Sequence, residues 1–475
     1  MEYPKLKTIK IAMIRLGRPT ISTSTVVPPL GIMSLAAYIR ERHPSLFLLI
    51  DQRVDSAPAE DLVRRIADFE PDIVGLSLLT TASHEVPEFS KSLRRALPKA
   101  LLVMGGPHVT AFAQRALDDS SVDLGAMGEG ERTFDMIVEA CRSDKTYGHI
   151  PGLIRREGAE TIINEGEMPF IEDVDALPFP AFDLLDLQPY WVRRSHAQLP
   201  PRRYVPIHSS RGCPFQCIYC HHVFGKSIRS QSPERIVAEV RHFSKVIGTP
   251  EVEFLDDTFN FDRKHVAAFA DEVNRQNLKL RITFPNGLRG DILTEETADA
   301  LVHAGTYYSS LALESGSERI QALIGKRLNI PRFLAGVDML ARRGVFTNGF
   351  SMLGFPTETI EEMERTVDVM CESRLHTGTF FTVVPFPKTE LYELASQTHP
   401  ERLVNIHYEN ADYVSSCVNL SDAKDEELFA CQRKAWRRFY LNPKRAWRIV
   451  RTYPNPGYLV TFVPMFTLRL LKGLI

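Results

Sequence analysis

The sequence predicts an α/β protein built from two successive strand–helix arrays. Three observations predict it. Short apolar runs alternate with amphipathic helical stretches from residue 8 to about 145. The alternation stops over 146–200, where prolines bar regular structure. It restarts at Tyr204 and runs to Val384. Alternating strands and helices with buried strands imply parallel sheets covered on both faces.

In the first array, Ile9–Ile14 is an apolar strand and Leu30–Arg40 has helical periodicity. Leu46–Asp51 is the second strand and Ala59–Phe69 an amphipathic helix. Asp72–Leu79 is a third strand, followed by a helix over Phe89–Leu97. Ala100–Met104 is a fourth strand ending in Gly105-Gly106, and Asp123–Met127 a fifth. The turn Gly128-Glu129-Gly130-Glu131 then leads a helix to about Cys141. These elements make a doubly wound, Rossmann-like domain over residues 1–146, whose ligands belong beyond the strand C-termini. A linker over 147–200 follows, with a β-like run at 152–156 and a proline-rich crossing segment at 172–181.

The second array, residues 201–400, starts with the strand Val205–Ser209. Helices are expected at Pro233–Val246, His265–Gln276, Thr294–Ala304, Arg332–Arg343 and Thr359–Glu372. Strands are expected at Val252–Leu255, Arg281–Phe284, Tyr307–Leu313, Phe346–Leu353 and Thr379–Val384. Six strand–helix units suggest a partial (β/α)6 barrel of TIM type, with its chemistry at the strand C-terminal ends. Polar residues fall there: Asp256-Asp257, Asn286 and Arg289, Glu314-Ser315-Gly316-Ser317, the turn from Gly354 to Glu358, and that from Pro385 to Thr389.

The 475 residues exceed one ordinary core, so two or three domains are expected. Composition is that of a soluble protein, 44% hydrophobic and 24% charged, and a net charge of −2 is no polyanion-binding signature. Seven cysteines in this length form no disulfide framework. Cys141, Cys371, Cys417 and Cys431 are scattered and read as buried thiols. The N-terminal residues carry no apolar signal core, and no apolar run reaches the roughly 18–20 residues of a membrane span.

The remaining three cysteines stand together. Ser209-Ser210-Arg211-Gly212-Cys213-Pro214-Phe215-Gln216-Cys217-Ile218-Tyr219-Cys220 has C-x3-C-x2-C spacing. Three thiolates aimed at one point suit a [4Fe–4S] cube, with one iron left open for a cosubstrate. Zinc is the alternative, with His221 or His222 as fourth ligand. The loop, with its flanking residues, resembles the signature of the radical S-adenosylmethionine (SAM) enzymes. That resemblance implies that the open iron chelates SAM, that the reduced cluster cleaves it to a 5′-deoxyadenosyl radical, and that Tyr219 lies near the adenine. It further suggests Asp256 or Asp257 near the SAM ammonium, Arg289 near the carboxylate, Glu314 with Ser315 near the ribose, and Gly354 under the adenine. Structural alternatives are a rim ion pair for Arg289 and Glu314 and a helix cap for the aspartates.

Ser77-x-Leu79, paired with Gly105-Gly106 one βα unit later, resembles the cobalamin-binding domain. There these residues enclose the dimethylbenzimidazole tail, and glycine permits an approach a side chain would block. Thr80, Gly128, Glu129 and Gly130 fall at the same strand ends. The family's Asp-x-His-x-x-Gly is missing: residues 16–28 hold no histidine. Cobalamin is therefore expected base-off, without a histidine ligand, and His108 reads as a loop contact.

The two resemblances together are to the cobalamin-dependent (class B) radical SAM enzymes. They imply methylation of an unactivated carbon, with one SAM methylating cobalamin and a second removing a substrate hydrogen atom. Alternatives are a non-methylating cyclase or ring rearrangement on a lipid or tetrapyrrole, and a non-catalytic cobalamin and iron–sulfur sensor. A small-molecule substrate and a low-potential donor such as a flavodoxin or ferredoxin are implied, in the cytoplasm. No nucleic-acid module is evident. The C-terminal extension, 401–475, has no acidic residue after Glu427 but many cations and aromatics, and Tyr458–Leu471 is mostly apolar. It reads either as helices closing the barrel or as a peripheral contact with the inner membrane face.

Overall fold

The computed structural model describes residues 8–18, 25–118, 120–143, 146–158, 160–404, 406–408 and 418–462. Two compact units emerge. One runs to Tyr190 and the other from Trp191 onward, except that His221–Phe224 and Tyr408 group with the first.

The first unit runs β1 (Ile9–Arg15), α1 (Leu30–Arg42), β2 (Ser45–Asp51), α2 (Ala59–Phe69), β3 (Ile73–Ser77), α3 (Val86–Ala96), β4 (Leu101–Gly105), α4 (Pro107–Phe112), β5 (Leu124–Ala126), α5 (Glu131–Arg142), β6 (Leu153–Glu157) and β7 (Glu160–Ile163). Strand order is β2-β1-β3-β4-β5-β6-β7. The apolar strands bury Ile14, Val74, Leu76, Leu102 and Met104 in one core, against which α2 turns Leu62 and Ile66 at helical spacing. Chain direction through the sheet reverses between β1 and β3, the place where such sheets open a ligand crevice.

Two departures from the expected first domain concern residues 146–190. β6 and β7 join the sheet antiparallel, so it is not purely parallel. The stretch assigned to the linker is also folded onto this unit. Asn164 donates to the carbonyls of Tyr147 and Ile150, and Asp183 pairs with Arg40. The Tyr190 hydroxyl, in the short α6 (Gln188–Trp191), reaches the buried Asp51, which also holds Arg15.

In the second unit, β8 (Val205–Ile207) is followed by a small antiparallel pair, β9 (Ser210–Arg211) and β10 (Arg229–Ser230), which staples the base of the cysteine loop. Then come α7 (Pro233–Ile247), β11 (Glu251–Phe254), α8 (Arg263–Arg275), β12 (Arg281–Leu288), α9 (Glu295–His303), β13 (Thr306–Glu314), α10 (Glu318–Leu323), α11 (Ile330–Arg342), β14 (Phe346–Leu353), α12 (Ile360–Glu372) and β15 (Thr377–Thr382). The six long strands are parallel, in the order β8-β11-β12-β13-β14-β15, as the partial barrel requires. Helix starts are capped by Ser232, Asp262, Thr294, Ser317 and Thr359. The cap of α8 is Asp262, which releases Asp256 and Asp257 from the capping alternative.

The tail continues with α13 (Glu390–Thr398), α14 (Pro400–Leu403), α15 (Asp425–Tyr440) and α16 (Pro443–Thr452). α15 closes on the barrel. Lys434 and Arg438 pair with Glu364 and Asp368 of α12, and Gln432 donates to the Phe380 carbonyl. Part of the basic run is thus structural. Cys141 and Cys371 are half-buried rather than buried, Cys431 is buried, and Cys417 lies outside the described residues. The apolar stretch beyond Phe462 also lies outside them. Among the described residues no helix is long and apolar enough to cross a membrane.

Candidate active site

The cysteine loop grows from the end of β8 and packs against the turn after α10. Ile218 N donates to the Ile324 carbonyl at 3.0 Å, and Cys220 N to Cys217 O at 3.2 Å. Gly325 is what permits this contact. Its φ is +67°, and a Cβ there would stand 2.3 Å from the Gln216 carbonyl oxygen. Gly212, at φ +84°, turns the chain into Cys213. The Cys213 thiol lies 3.4 Å from the Thr258 hydroxyl. Cys217 is buried, and its thiol is drawn below the usual range first by the hydrogen bond from Cys220 and then by the nearby Lys326 charge, against burial. The partner thiol of Cys220 is pushed up by the same contact. Three thiols on one short loop are the soft donor set an iron–sulfur cluster takes.

Beside this loop stands a buried charged group. Glu314 ends β13 at φ +67°, after a register shift against β14, so its side chain leaves the regular alternation of the strand. Its Oε1 accepts from Lys326 Nζ at 3.1 Å and from the Tyr219 hydroxyl at 3.3 Å. Lys326 follows Gly325 directly, so the glycine that seats the cysteine loop also delivers the ammonium. Cys217, Cys220, Tyr219, Glu314 and Lys326 are therefore brought together. Lys326 was not singled out in the sequence; its one signal is a lysine among apolar neighbours in Leu323-Ile324-Gly325-Lys326.

Arg289 is placed otherwise. Its guanidinium binds Asp291 at 2.9 Å, donates to the Lys326 carbonyl at 2.7 Å, and lies 3.8 Å from the Phe215 ring centre. The expected rim pair of Arg289 with Glu314 is not formed: Asp291 holds the arginine and Lys326 holds Glu314. Asp256 is buried at the end of β11, where Oδ1 accepts from the Ser209 and Ser210 hydroxyls at 2.8 and 2.6 Å. Its Oδ2 has no partner among the described residues, and burial lifts its carboxyl to about 6. Asp257 is exposed. Ser315 is fully buried, with its hydroxyl near Thr366 and accepting from Ser317 N, so it holds the turn.

Gly354 ends β14 at φ +95°. A Cβ there would meet Leu428 of α15 at 2.7 Å, so the glycine makes room for the closing helix. Glu358 ties this turn. Its Oε2 accepts from Gly354 N and Phe355 N at 2.7 and 3.1 Å. The carboxyl is fully buried and lifted to about 8 by that burial; Oε1 has no partner among the described residues.

In the first unit, the ends of β3 and β4 meet closely. Gly106 has φ +99°, and a Cβ there would lie 2.9 Å from the Leu78 carbonyl oxygen and 3.5 Å from Ser77 Oγ. Leu79 is exposed, and Thr80 is buried at the start of the next turn. Gly105 closes β4. His108 is buried and stacked on Phe112 at 4.5 Å; its Nδ1 has no partner among the described residues, and burial lowers it to about 4. This glycine-lined, largely uncharged turn fits an apolar heterocycle. The next turn serves packing. Gly128 N donates to Thr110, Glu129 accepts from Ile171 N at 3.1 Å, and a Cβ on Gly130 would meet Leu35 at 2.9 Å.

Comparison with known proteins agrees with this division. The B12 binding domain family matches residues 20–138, and the Radical SAM superfamily matches residues 207–370. An uncharacterized methyltransferase of Pyrococcus horikoshii is 30% identical over 447 residues, 92% of this chain and 94% of the relative. The anaerobic magnesium-protoporphyrin IX monomethyl ester cyclase of Cereibacter sphaeroides is 24% identical, over 87% of this chain and 67% of its own length. Among solved structures, the radical SAM methyltransferase TsrM of Kitasatospora setae, with cobalamin and a [4Fe–4S] cluster bound, superposes with a TM-score of 0.67. It shares 17% identity over 82% of this chain and 78% of that one, a likeness of fold. Two family domains in this order, and a relative matched almost end to end, make this chain a member of the cobalamin-dependent radical SAM enzymes.

Proposed function

We propose that this protein transfers a methyl group to an unactivated carbon of a small molecule. When bound, the cluster with SAM supplies a hydrogen-abstracting carbon radical, and cobalamin supplies the methyl group. The protein's own residues bind, orient and exclude water. One observation carries the reading: three thiols share a barrel-mouth loop with the buried Lys326–Glu314 pair, in a chain that also matches a B12 binding domain.

Cys213, Cys217 and Cys220 would supply the thiolates that hold the cluster. Lys326 takes the SAM carboxylate, in place of Arg289, whose guanidinium is committed to Asp291. Glu314 keeps its second oxygen for the ribose diol, and Tyr219 stands beside it for the adenine. Asp256, with one buried oxygen to spare, suits the ammonium better than exposed Asp257. Glu358 holds the Gly354 turn in position. Ser77, Leu79, Thr80, Gly105 and Gly106 receive the cobalamin tail, while Gly128, Glu129 and Gly130 shape the wall behind it. Bound cobalamin would be base-off, without a histidine ligand; the lack of histidine in residues 16–28 supports this. The cobalamin-binding domain extends past residue 146 to Tyr190, which the hairpin and the Asp51 contact support. A flavodoxin or ferredoxin delivers the electron.

The cyclase relative keeps a second reading in view, a non-methylating rearrangement of a tetrapyrrole or lipid. Reconstituted protein incubated with methyl-deuterated SAM and candidate extracts separates the readings by mass spectrometry. Label in a product, with S-adenosylhomocysteine and 5′-deoxyadenosine formed together, is the expected outcome. Deoxyadenosine without label favours the cyclase reading, and neither product leaves a sensor. Cys217→Ala should lower deoxyadenosine formation about a thousandfold or more.

A further inference from the structure

We propose that the outward face of α16 docks on an anionic lipid surface. The helix is anchored from its other side. Arg445, 1% exposed, donates to the carbonyls of Cys371 at 2.7 Å and Met370 at 3.3 Å, and its guanidinium stacks 3.6 Å from the Phe439 ring centre. One turn on, Ile449 packs against the cluster of Tyr308, Phe346 and Tyr453. Positions 445 and 449 therefore fix which way the helix faces.

The opposite face carries what a buried helix would have turned inward. Trp447 is 67% exposed and Val450 48%, three residues apart and so neighbours on one face. Lys444 and Arg451 are exposed beside them, at helical spacings of three and four from Trp447. Neither cation makes an ion pair among the described residues, in contrast to Lys434 and Arg438 on α15. Leu441, at the turn into the helix, is 64% exposed, and Val460 beyond it 69%.

Core packing does not explain an exposed tryptophan on a helix whose inward stripe is already filled. An interfacial setting does: an indole and small aliphatics enter the headgroup boundary while flanking cations meet anionic headgroups. Charge complementarity selects the occupant. After Glu427 the chain has no acidic residue, so nothing on this segment repels an anionic surface. A second copy of this chain fits poorly, because a two-fold contact on this face would set cations against cations.

The test is flotation of the full-length, cluster-loaded protein with vesicles of phosphatidylcholine alone, or with about 30% phosphatidylglycerol. Intact protein should float with the anionic vesicles only, and be released at about 0.5 M salt. The pair Lys444→Glu/Arg451→Glu should lower the partition constant, read from a lipid titration, at least about 25-fold, near fivefold for each cation removed. The pair Trp447→Ser/Val450→Ser should also release the protein. Both pairs lie on exposed positions and should keep iron content and melting temperature. Protein that stays at the bottom of the gradient overturns the proposal. So do variants that float like the parent, variants that lose only self-association, and variants that lose only binding to single-stranded RNA.

Discussion

The two sheets end in turns of opposite character. At the strand ends of the first unit, charge is discharged inside the protein. Asp51 is shared by Arg15 and the Tyr190 hydroxyl, Gln52 reaches Glu85, and Glu129 takes the Ile171 amide. What is left at the Ser77 and Gly106 turn is backbone, small side chains and a neutral imidazole. In the barrel, buried acids keep capacity in hand: Asp256 Oδ2 and Glu358 Oε1 have no partner among the described residues, and Glu314 shares one oxygen between two donors. Leaving a buried polar atom unpaired costs about 1–3 kcal/mol. At Asp256 and Glu314 that spare capacity is what the proposed contacts with a small, charged cosubstrate would use. The Gly106 turn, proposed to receive a large cofactor, offers glycine and apolar surface instead.

Glu358 offers the strongest way to break this contrast. Burial lifts its carboxyl from an ordinary 4.5 to about 8. Between those values the unfolded chain is ionised while the native one keeps the proton. Stability from this group is thus greatest at low pH and falls as pH rises, by about 1.4 kcal/mol per unit, levelling above 8. Glu358→Gln keeps an oxygen for the Gly354 and Phe355 amides and removes the titration. Urea melts at several pH values should show the parent losing about 3–5 kcal/mol more than the variant between pH 5 and 8. Parallel profiles would mean that the acid is not held neutral, and the contrast between the two sheets would weaken.

Lys326→Met sharpens the comparison on the barrel side. It removes the ammonium beside Glu314 and leaves the cysteines in place. SAM affinity, followed by the change SAM causes in the reduced cluster's magnetic-resonance spectrum, should fall about 10–100-fold, or roughly 1.4–2.7 kcal/mol. Iron and sulfide content should be retained, and Lys326→Arg should recover part of the loss. If instead Arg289→Met loses SAM while Lys326→Met does not, the assignment of the carboxylate reverts to the arginine.

The legible part of this chain was what burial writes into a local pattern. Strands such as Phe346–Leu353 and helices such as Ala59–Phe69 stand at the expected residues, because one buried face imposes a period. The cysteine loop was legible because its three thiols lie within eight residues of chain. The β6–β7 hairpin was legible only in its first strand, the β-like run at 152–156; β7 is exposed or half-buried along its length, and no local pattern encodes the antiparallel join of β6 to β5. Nor was the ammonium proposed for the SAM carboxylate legible. Lys326 meets Glu314 across 12 residues and a short helix, a pairing no spacing rule encodes. Arg289 drew attention at a strand end, yet Asp291, two residues on, was in position to claim it.

The smallest expected effect probes the shape-built side. A Cβ on Gly106 would stand 2.9 Å from one backbone atom of Leu78 and 3.2 Å from another, at a φ of +99° that side chains avoid. Gly158 makes a fitting control: its φ is +63°, but a Cβ there meets nothing within 4 Å. Gly158→Ala carries the ordinary positive-φ cost, about 1 kcal/mol, and Gly106→Ala carries more, because ψ −177° beside φ +99° is a region essentially confined to glycine. Only Gly106→Ala must also push apart the ends of β3 and β4, adding about 1–2 kcal/mol. The same displacement should reach the cobalamin tail, so affinity measured by spectral titration should drop about tenfold in Gly106→Ala and stay unchanged in Gly158→Ala. Iron content should be equal in both, because neither residue lies in the barrel unit. Equal losses of stability and affinity in the two variants would show that the turn tolerates a side chain, and that close backbone approach is not how this unit holds its cofactor.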